Sequence, residues 1–241
     1  MAIGPQREYL NRTVQGRAQA AEMDLGLRAY MQKVFGYMAL GLTITGLVAF
    51  FTAQSETMLG LVFGTPLKWV VFLAPIGIAM LFGFKIHSMR ASTAQLVFWI
   101  FSGVMGLSLA SIFVVYTGES VARTFFIAAA TFAGMALYGY TTKRDLSGLG
   151  SFLIMGVFGL LIAMVVNIFL ASSALQFAIS VVGVLVFTGL TAYDAQKIKE
   201  MYWEGDGAEV GTKKAVMGAL NLYLDFINLF LFMLQFLGDR R

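Results

Sequence analysis

Residues 146–193, LSGLGSFLIMGVFGLLIAMVVNIFLASSALQFAISVVGVLVFTGLTAY, form 48 consecutive positions without a charged side chain. A helix needs about 20 apolar residues to cross a hydrocarbon core about 30 Å thick, so the run is too long for one crossing and long enough for two. Ala171-Ser172-Ser173 supplies the tight turn between them. Applied outward from there, the intervals between charges count the remaining spans. Residues 34–55, 69–84, 92–115 and 122–141 give spans one to four, the 48-residue run gives five and six, and 215–238 gives a seventh. The second interval is short for a crossing unless Pro66 opens the helix and Lys68 and Lys85 snorkel outward. The expected fold class is an all-α membrane protein, a seven-transmembrane helix bundle over residues 31–241, preceded by a polar cytoplasmic tail over 1–30.

Composition agrees with a lipid environment. Hydrophobic residues make up 59% of the 241 positions and charged residues 12%, and the mean hydropathy is +0.78, well outside the soluble globular range. The net charge of +4 comes from short clusters between apolar runs, as in membrane-flanking segments, and gives no reason to expect nucleic acid as a partner. With no cysteine and a single histidine, His87, disulfides, thiolate chemistry, multi-histidine metal sites and histidine triads are excluded.

Lysine and arginine placement sets the expected orientation. With the N-terminus in the cytoplasm, 13 of the 17 basic residues lie inside, leaving Lys68, Arg123, Arg240 and Arg241 outside. The bias favours N-terminus in and C-terminus out. Residues 1–30 have no apolar core of the kind a signal peptide needs, so the first span acts as its own insertion signal and the tail is a surface helix or disordered. Between spans six and seven, acids at Glu200, Glu204, Asp206 and Glu209 are interleaved with glycines. They lack the ligand spacing and closing glutamate of an EF-hand, which leaves a solvated turn. Ala129 with Ala133, Ala130 with Gly134, and Gly103 near Gly106 are the small residues expected where helices approach closely.

Two aspartates carry the chemistry. Asp225 stands near the middle of span seven, where an unpaired carboxylate costs at least about 2.5–3.5 kcal/mol. Asn221 and Asn228, at i−4 and i+3, share its face and predict a polar stripe turned into the bundle. Asp194 sits near the cytoplasmic end of span six, antiparallel to span seven, so the two carboxylates are expected to meet. Two carboxylates in a low-dielectric site disfavour double ionisation and hold one proton between them. Sharing that proton draws the helices together, and losing it creates repulsion that opens a cation path between them. Each acid also has a structural reading: Asp194 bonded to Lys197, and Asp225 satisfied by asparagines and hydroxyls. Tyr193 is placed either to donate to Asp194 or to pack in the core. His87 reads as an ordinary interfacial residue, and Trp69 as an interfacial anchor.

Leu222-Tyr223-Leu224-Asp225-Phe226-Ile227-Asn228-Leu229-Phe230 and Ala192-Tyr193-Asp194-Ala195-Gln196-Lys197-Ile198-Lys199 resemble the last two spans of the Bax inhibitor-1, or transmembrane Bax inhibitor motif, family. The likeness extends through Phe101-Ser102-Gly103 and Lys143-Arg144-Asp145-Leu146 to most of the chain beyond the tail. The resemblance implies a bundle with the last helix central, wrapped by the other six. It also implies a pH-sensitive calcium leak channel of the bacterial inner membrane, with calcium as the transported ion and no cofactor or enzymatic activity. Asp194 and Asp225 match the family's pH-sensor positions, where they would make transient calcium contact. Lys85 is nearest the position of an arginine that joins the aspartates in some bacterial members, but lysine is a point charge without the planar fork that bridges two acids. An acid found deeper in span two of some members has no counterpart here, which implies weaker calcium affinity or a different ion. A competing reading is a non-transporting regulator that binds a membrane-bound AAA protease through its polar tail. An intramembrane aspartyl protease is disfavoured, because the glycine-rich motif expected beside such an acid is absent.

Overall fold

The computed structural model describes the backbone of residues 5–241 and the side chains of residues 25–241. Helix α1 (Pro5–Gln54) contains the first span, Leu25–Gln54. Most of the polar tail over 1–30, the part expected to grip a protease partner, lies outside the residues whose side chains are described, which begin at Leu25. Ser55 accepts a hydrogen bond from the Met58 amide and starts α2 (Glu56–Phe63), too short to cross a bilayer. Next come α3 (Leu67–Lys85), α4 (Ala91–Leu109), the single turn α5 (Ile112–Val115), α6 (Gly118–Thr141), α7 (Ser147–Leu170), α8 (Ser173–Glu200) and α9 (Ala208–Leu237). Seven helical segments among the described residues are long and apolar enough to span a membrane; α4 and α5 together make the third.

Helix starts and stops follow local chemistry. Thr117 caps α6 by accepting from the Ser120 amide. Asp145 Oδ1 accepts from the Ser147 amide at the start of α7, and this hydrogen bonding holds the Asp145 carboxyl below its usual range. The uncharged 48-residue run breaks where expected. Ala171 closes α7 in the left-handed region (φ 47°), and the Ser172 side chain accepts from the Leu175 amide to open α8.

Helix α9 is the axis of the bundle. Of its apolar window, 72% is buried against protein, compared with 11% for α7 and 17% for α3, and it packs on α8, α1, α6 and α4. Since lipid is as apolar as leucine, these contacts are held by close packing and hydrogen bonds, with no solvent-driven term between helices. Phe232 stacks on Phe187 over Gly183, where a Cβ would stand 2.5 Å from the Phe232 ring. Phe226 meets Phe125 and Phe132 edge-on.

The close approach of α6 uses a different face from the expected rows of small residues. Val121, Thr124, Ala128, Phe132, Ala136 and Gly139 are buried, while Ala130, Ala133 and Gly134 are exposed. A Cβ on Gly139 would fall on the Ala192 carbonyl oxygen of α8; one on Gly134 would meet open space. On span three, Gly106 makes the tight contact, 2.7 Å from the Thr45 carbonyl oxygen for a Cβ built there, and Gly103 is open.

Polar ties fix both ends. At the basic end, which carries Lys33, Lys85, Lys197 and Lys213 at the helix ends, Glu209 Oε1 accepts from the Ala91 amide at 2.5 Å and so caps α4, while Lys213 Nζ donates to the His87 carbonyl. Lys214 pairs with Asp206 at 2.5 Å. Asp206, before α9, and Glu209, in its first turn, are therefore engaged in structure. At the opposite end, Arg123 pairs with Asp239 at 2.9 Å, and Tyr116 and Arg240 form an isolated antiparallel bridge.

Candidate functional site

The antiparallel register of α8 and α9 is fixed by contacts on either side of the two aspartates. Gly183 and Phe187 meet Phe232 toward one end; Ile198 meets Gly218 and the Met201 carbonyl accepts from Lys214 Nζ toward the other. Between these contacts, Asp194 and Asp225 face one another within hydrogen-bonding reach. Asp194 is half-buried and lies about 9 Å from the end of α8 at 1.5 Å per residue. Asp225 is 6% exposed, and among the described residues no donor reaches its Oδ2.

Ionised carboxylates only accept hydrogen bonds, so two of them at this separation need a proton or a cation between them. The orphaned Oδ2 leaves one lone-pair-bearing atom available for such a bridge. Lys197, one turn after Asp194, is within electrostatic reach of it, and its Nζ stands 5.6 Å above the Tyr193 ring. Among the described residues no group of three or more acidic or histidine side chains is arranged to hold a metal ion. Calcium contact here would rest on two carboxylates.

The other expected site residues are not drawn to the pair. Asn228 is half-buried and donates through Nδ2 to the Leu224 carbonyl of its own helix. Asn221 is half-buried one turn closer to the basic end, and among the described residues neither amide bonds Asp225. The Tyr193 ring packs against Gly150 of α7, where a Cβ would overlap it; being adjacent to Asp194 on a helix, it points about 100° away. Lys85 is exposed at the end of α3, whose neighbours are α4 and α2. His87 is exposed, with its carbonyl held by Lys213.

A second polar node was not foreseen. Thr45 Oγ1 lies 2.8 Å from the Ser102 carbonyl oxygen and 2.9 Å from that of Gly41, and 2.6 Å from the Tyr223 hydroxyl. Its single proton goes to a carbonyl, so Tyr223 donates to Thr45. Tyr223 is fully buried, set edge-on to Phe98 and Phe101. The node joins α1, α4 and α9 two residues from Asp225. Gln196 and Lys199 were likewise given no role. Gln196 accepts from the Leu146 amide and donates to the Arg144 carbonyl, and Lys199 donates to the Tyr140 carbonyl, so together they bind α8 to the α6–α7 connection.

A cavity of about 600 Å³ opens between α1, α5, α6 and α9. Gln54, Gly118, Arg241, Phe113, Phe226 and Thr45 are among the residues that line it. It therefore reaches the residue that follows Asp225 in sequence.

Comparison with known proteins agrees with this architecture. The family model described as "Inhibitor of apoptosis-promoting Bax1" matches residues 27–241. An uncharacterised protein of Rickettsia prowazekii is 50% identical over 218 residues, covering 90% of this chain and 92% of the relative. One from Caulobacter vibrioides is 45% identical over 236 residues, covering 93% and 94%. Inner membrane protein YbhL of Escherichia coli is 43% identical over 219 residues, covering 90% and 94%. A multi-pass helical bundle with its last helix at the centre, matched over nearly its whole length to that model and to these bacterial proteins, belongs to the Bax inhibitor-1 family.

Proposed function

We propose that this protein is a proton-regulated cation leak of the bacterial inner membrane, with calcium as the expected ion and the basic end in the cytoplasm. The observation that carries the reading is the meeting of Asp194 and Asp225 inside the bundle, with one oxygen of Asp225 lacking a donor among the described residues. A proton held between the carboxylates ties α8 to α9. Its loss leaves two like charges in a site of low dielectric, where their repulsion is little screened and the helices part. The same oxygens then line the opening and attract a cation passing through.

Calcium flux into liposomes, measured across pH for wild type, Asp194→Asn and Asp225→Asn, tests the reading. Flux through the wild type should rise as pH increases through the titration of the pair, whereas each variant should fold and show little pH dependence. A variant with the wild-type pH profile would remove the gate. The reading as a non-transporting regulator of a membrane-bound AAA protease is separated in the same assay. Deleting residues 1–28 should leave flux intact if the bundle itself conducts, and wild-type liposomes without any flux would favour the regulator.

A further inference from the structure

At the basic end, away from the aspartates, a pocket of about 260 Å³ lies between α1 and the α8–α9 connection. One side of it offers donors. Helix α9 begins at Ala208 with no side-chain cap from Gly207, so its first-turn amides lack the partners a cap would supply, and Gly207, Ala208, Gly211 and Thr212 line this pocket. Lys33 adds an ammonium beside that turn, its Nζ 2.7 Å from Thr212 Oγ1. Amides at the positive end of a long helix together with a lysine suit an oxyanion.

The other side offers the opposite chemistry. Glu204 and Asp206 line it with the rings of Tyr30, Tyr202 and Trp203; the Tyr30 and Tyr202 centroids are 5.6 Å apart. Aromatic faces beside carboxylates suit an ammonium. Asp206 is partly neutralised by Lys214, which leaves Glu204 as the freer acid at the rim. The second, independent observation is Tyr30 itself. It lines the pocket and is 7% exposed, yet among the described residues its hydroxyl has no hydrogen-bond partner. A buried hydroxyl in that state calls for a missing partner, which it can meet as donor or acceptor.

We propose that this pocket binds a small zwitterion, an oxyanion and an ammonium separated by a few bonds, with the oxyanion on the α9 amides and Lys33 and the ammonium against Glu204 and the rings. Phosphoethanolamine has this chemistry, either as a soluble compound or as the headgroup of a phospholipid. The volume lies just under the usual range of about 300–1,000 Å³ for small-molecule sites, which suits a headgroup-sized ligand. The site is independent of the aspartate gate.

Calorimetric titration of the full-length protein in detergent, with phosphoethanolamine, inorganic phosphate and ethanolamine in separate runs, tests the proposal. Phosphoethanolamine should bind saturably and at least about tenfold more tightly than either half, since each half leaves one set of charged partners unused. Lys33→Gln and Glu204→Gln, both at exposed positions, should each weaken it by about tenfold, the loss of one charge-assisted contact. Repeating the titration in phosphatidylglycerol and phosphatidylethanolamine nanodiscs distinguishes the sources. Heat abolished in phosphatidylethanolamine identifies the lipid headgroup as the occupant, and equal heat in both identifies a soluble one. Phosphate binding as tightly as the full zwitterion, no saturable heat in detergent or phosphatidylglycerol, or two variants that bind like wild type would each overturn it.

Discussion

Asp225 and Tyr223, two residues apart on α9, differ sharply in how much of their role can be read from the chain. A carboxylate in an apolar run has no inexpensive local solution, so Asp225 points to a partner on another helix from composition alone. Tyr223 and Thr45 do not. A threonine hydroxyl can bond the carbonyl one turn back on its own helix, as Thr45 can with Gly41, so nothing in the sequence requires its second partner to be Tyr223. The same local option explains Asn228, whose amide turns to the Leu224 carbonyl and leaves the expected polar stripe unformed around Asp225. Replacing Tyr223 with Phe should remove one interhelical hydrogen bond while keeping the ring between Phe98 and Phe101. Thermal denaturation in detergent should register a loss of about 0.6–1.7 kcal/mol, the range for hydrogen bonds between membrane helices. A larger loss would mean that the node organises α1, α4 and α9 beyond the single bond.

At the level of elements, charge spacing marks where helices begin and end, but not which faces touch. Small residues at four-residue spacing occur on several faces of α6, and lipid and protein select among them without leaving a compositional trace. The face containing Ala128, Ala136 and Gly139 is buried and Ala129 packs partly against the core beside it, while Ala130, Ala133 and Gly134 are exposed. Gly139 and Gly134 therefore give a paired test. Gly139→Val would drive a side chain into the Ala192 carbonyl, two residues before Asp194, and should destabilise the fold by about 1–3 kcal/mol or more, as overpacking does. Gly134→Val points into open space and should melt within about 0.5 kcal/mol of wild type, as substitutions away from packed features do. Equal melting temperatures for the two variants would contradict the α6–α8 contact. Lys85 illustrates the same limit on the other side of the bundle. Its position along α3 follows from the sequence, whereas the packing of α3 on α4 and α2, away from the aspartates, depends on tertiary neighbours.

For the whole molecule, hydropathy runs opposite to the rule for proteins in water. The most apolar span, α7, with mean hydropathy 2.7, is 11% buried in protein, and α9, at 1.6, is 72% buried. Lipid solvates apolar surface at no cost, so the helix with polar groups is the one that must be enclosed. The number of spans was legible because each crossing has to be long and uncharged; the central place of α9 was suggested by resemblance to a family, since composition alone ranks helices without arranging them. Synthesis order adds a temporal consequence. Six crossings leave the ribosome before the helix they surround, so until α9 arrives the Thr45 hydroxyl lacks Tyr223, Asp194 lacks its companion and the Ala91 amide lacks Glu209. A nascent chain halted at residue 205 should insert yet stay loosely associated, and added proteases should cut its connecting loops faster than those of the full chain. Equal resistance would mean that the first six helices assemble without their hub.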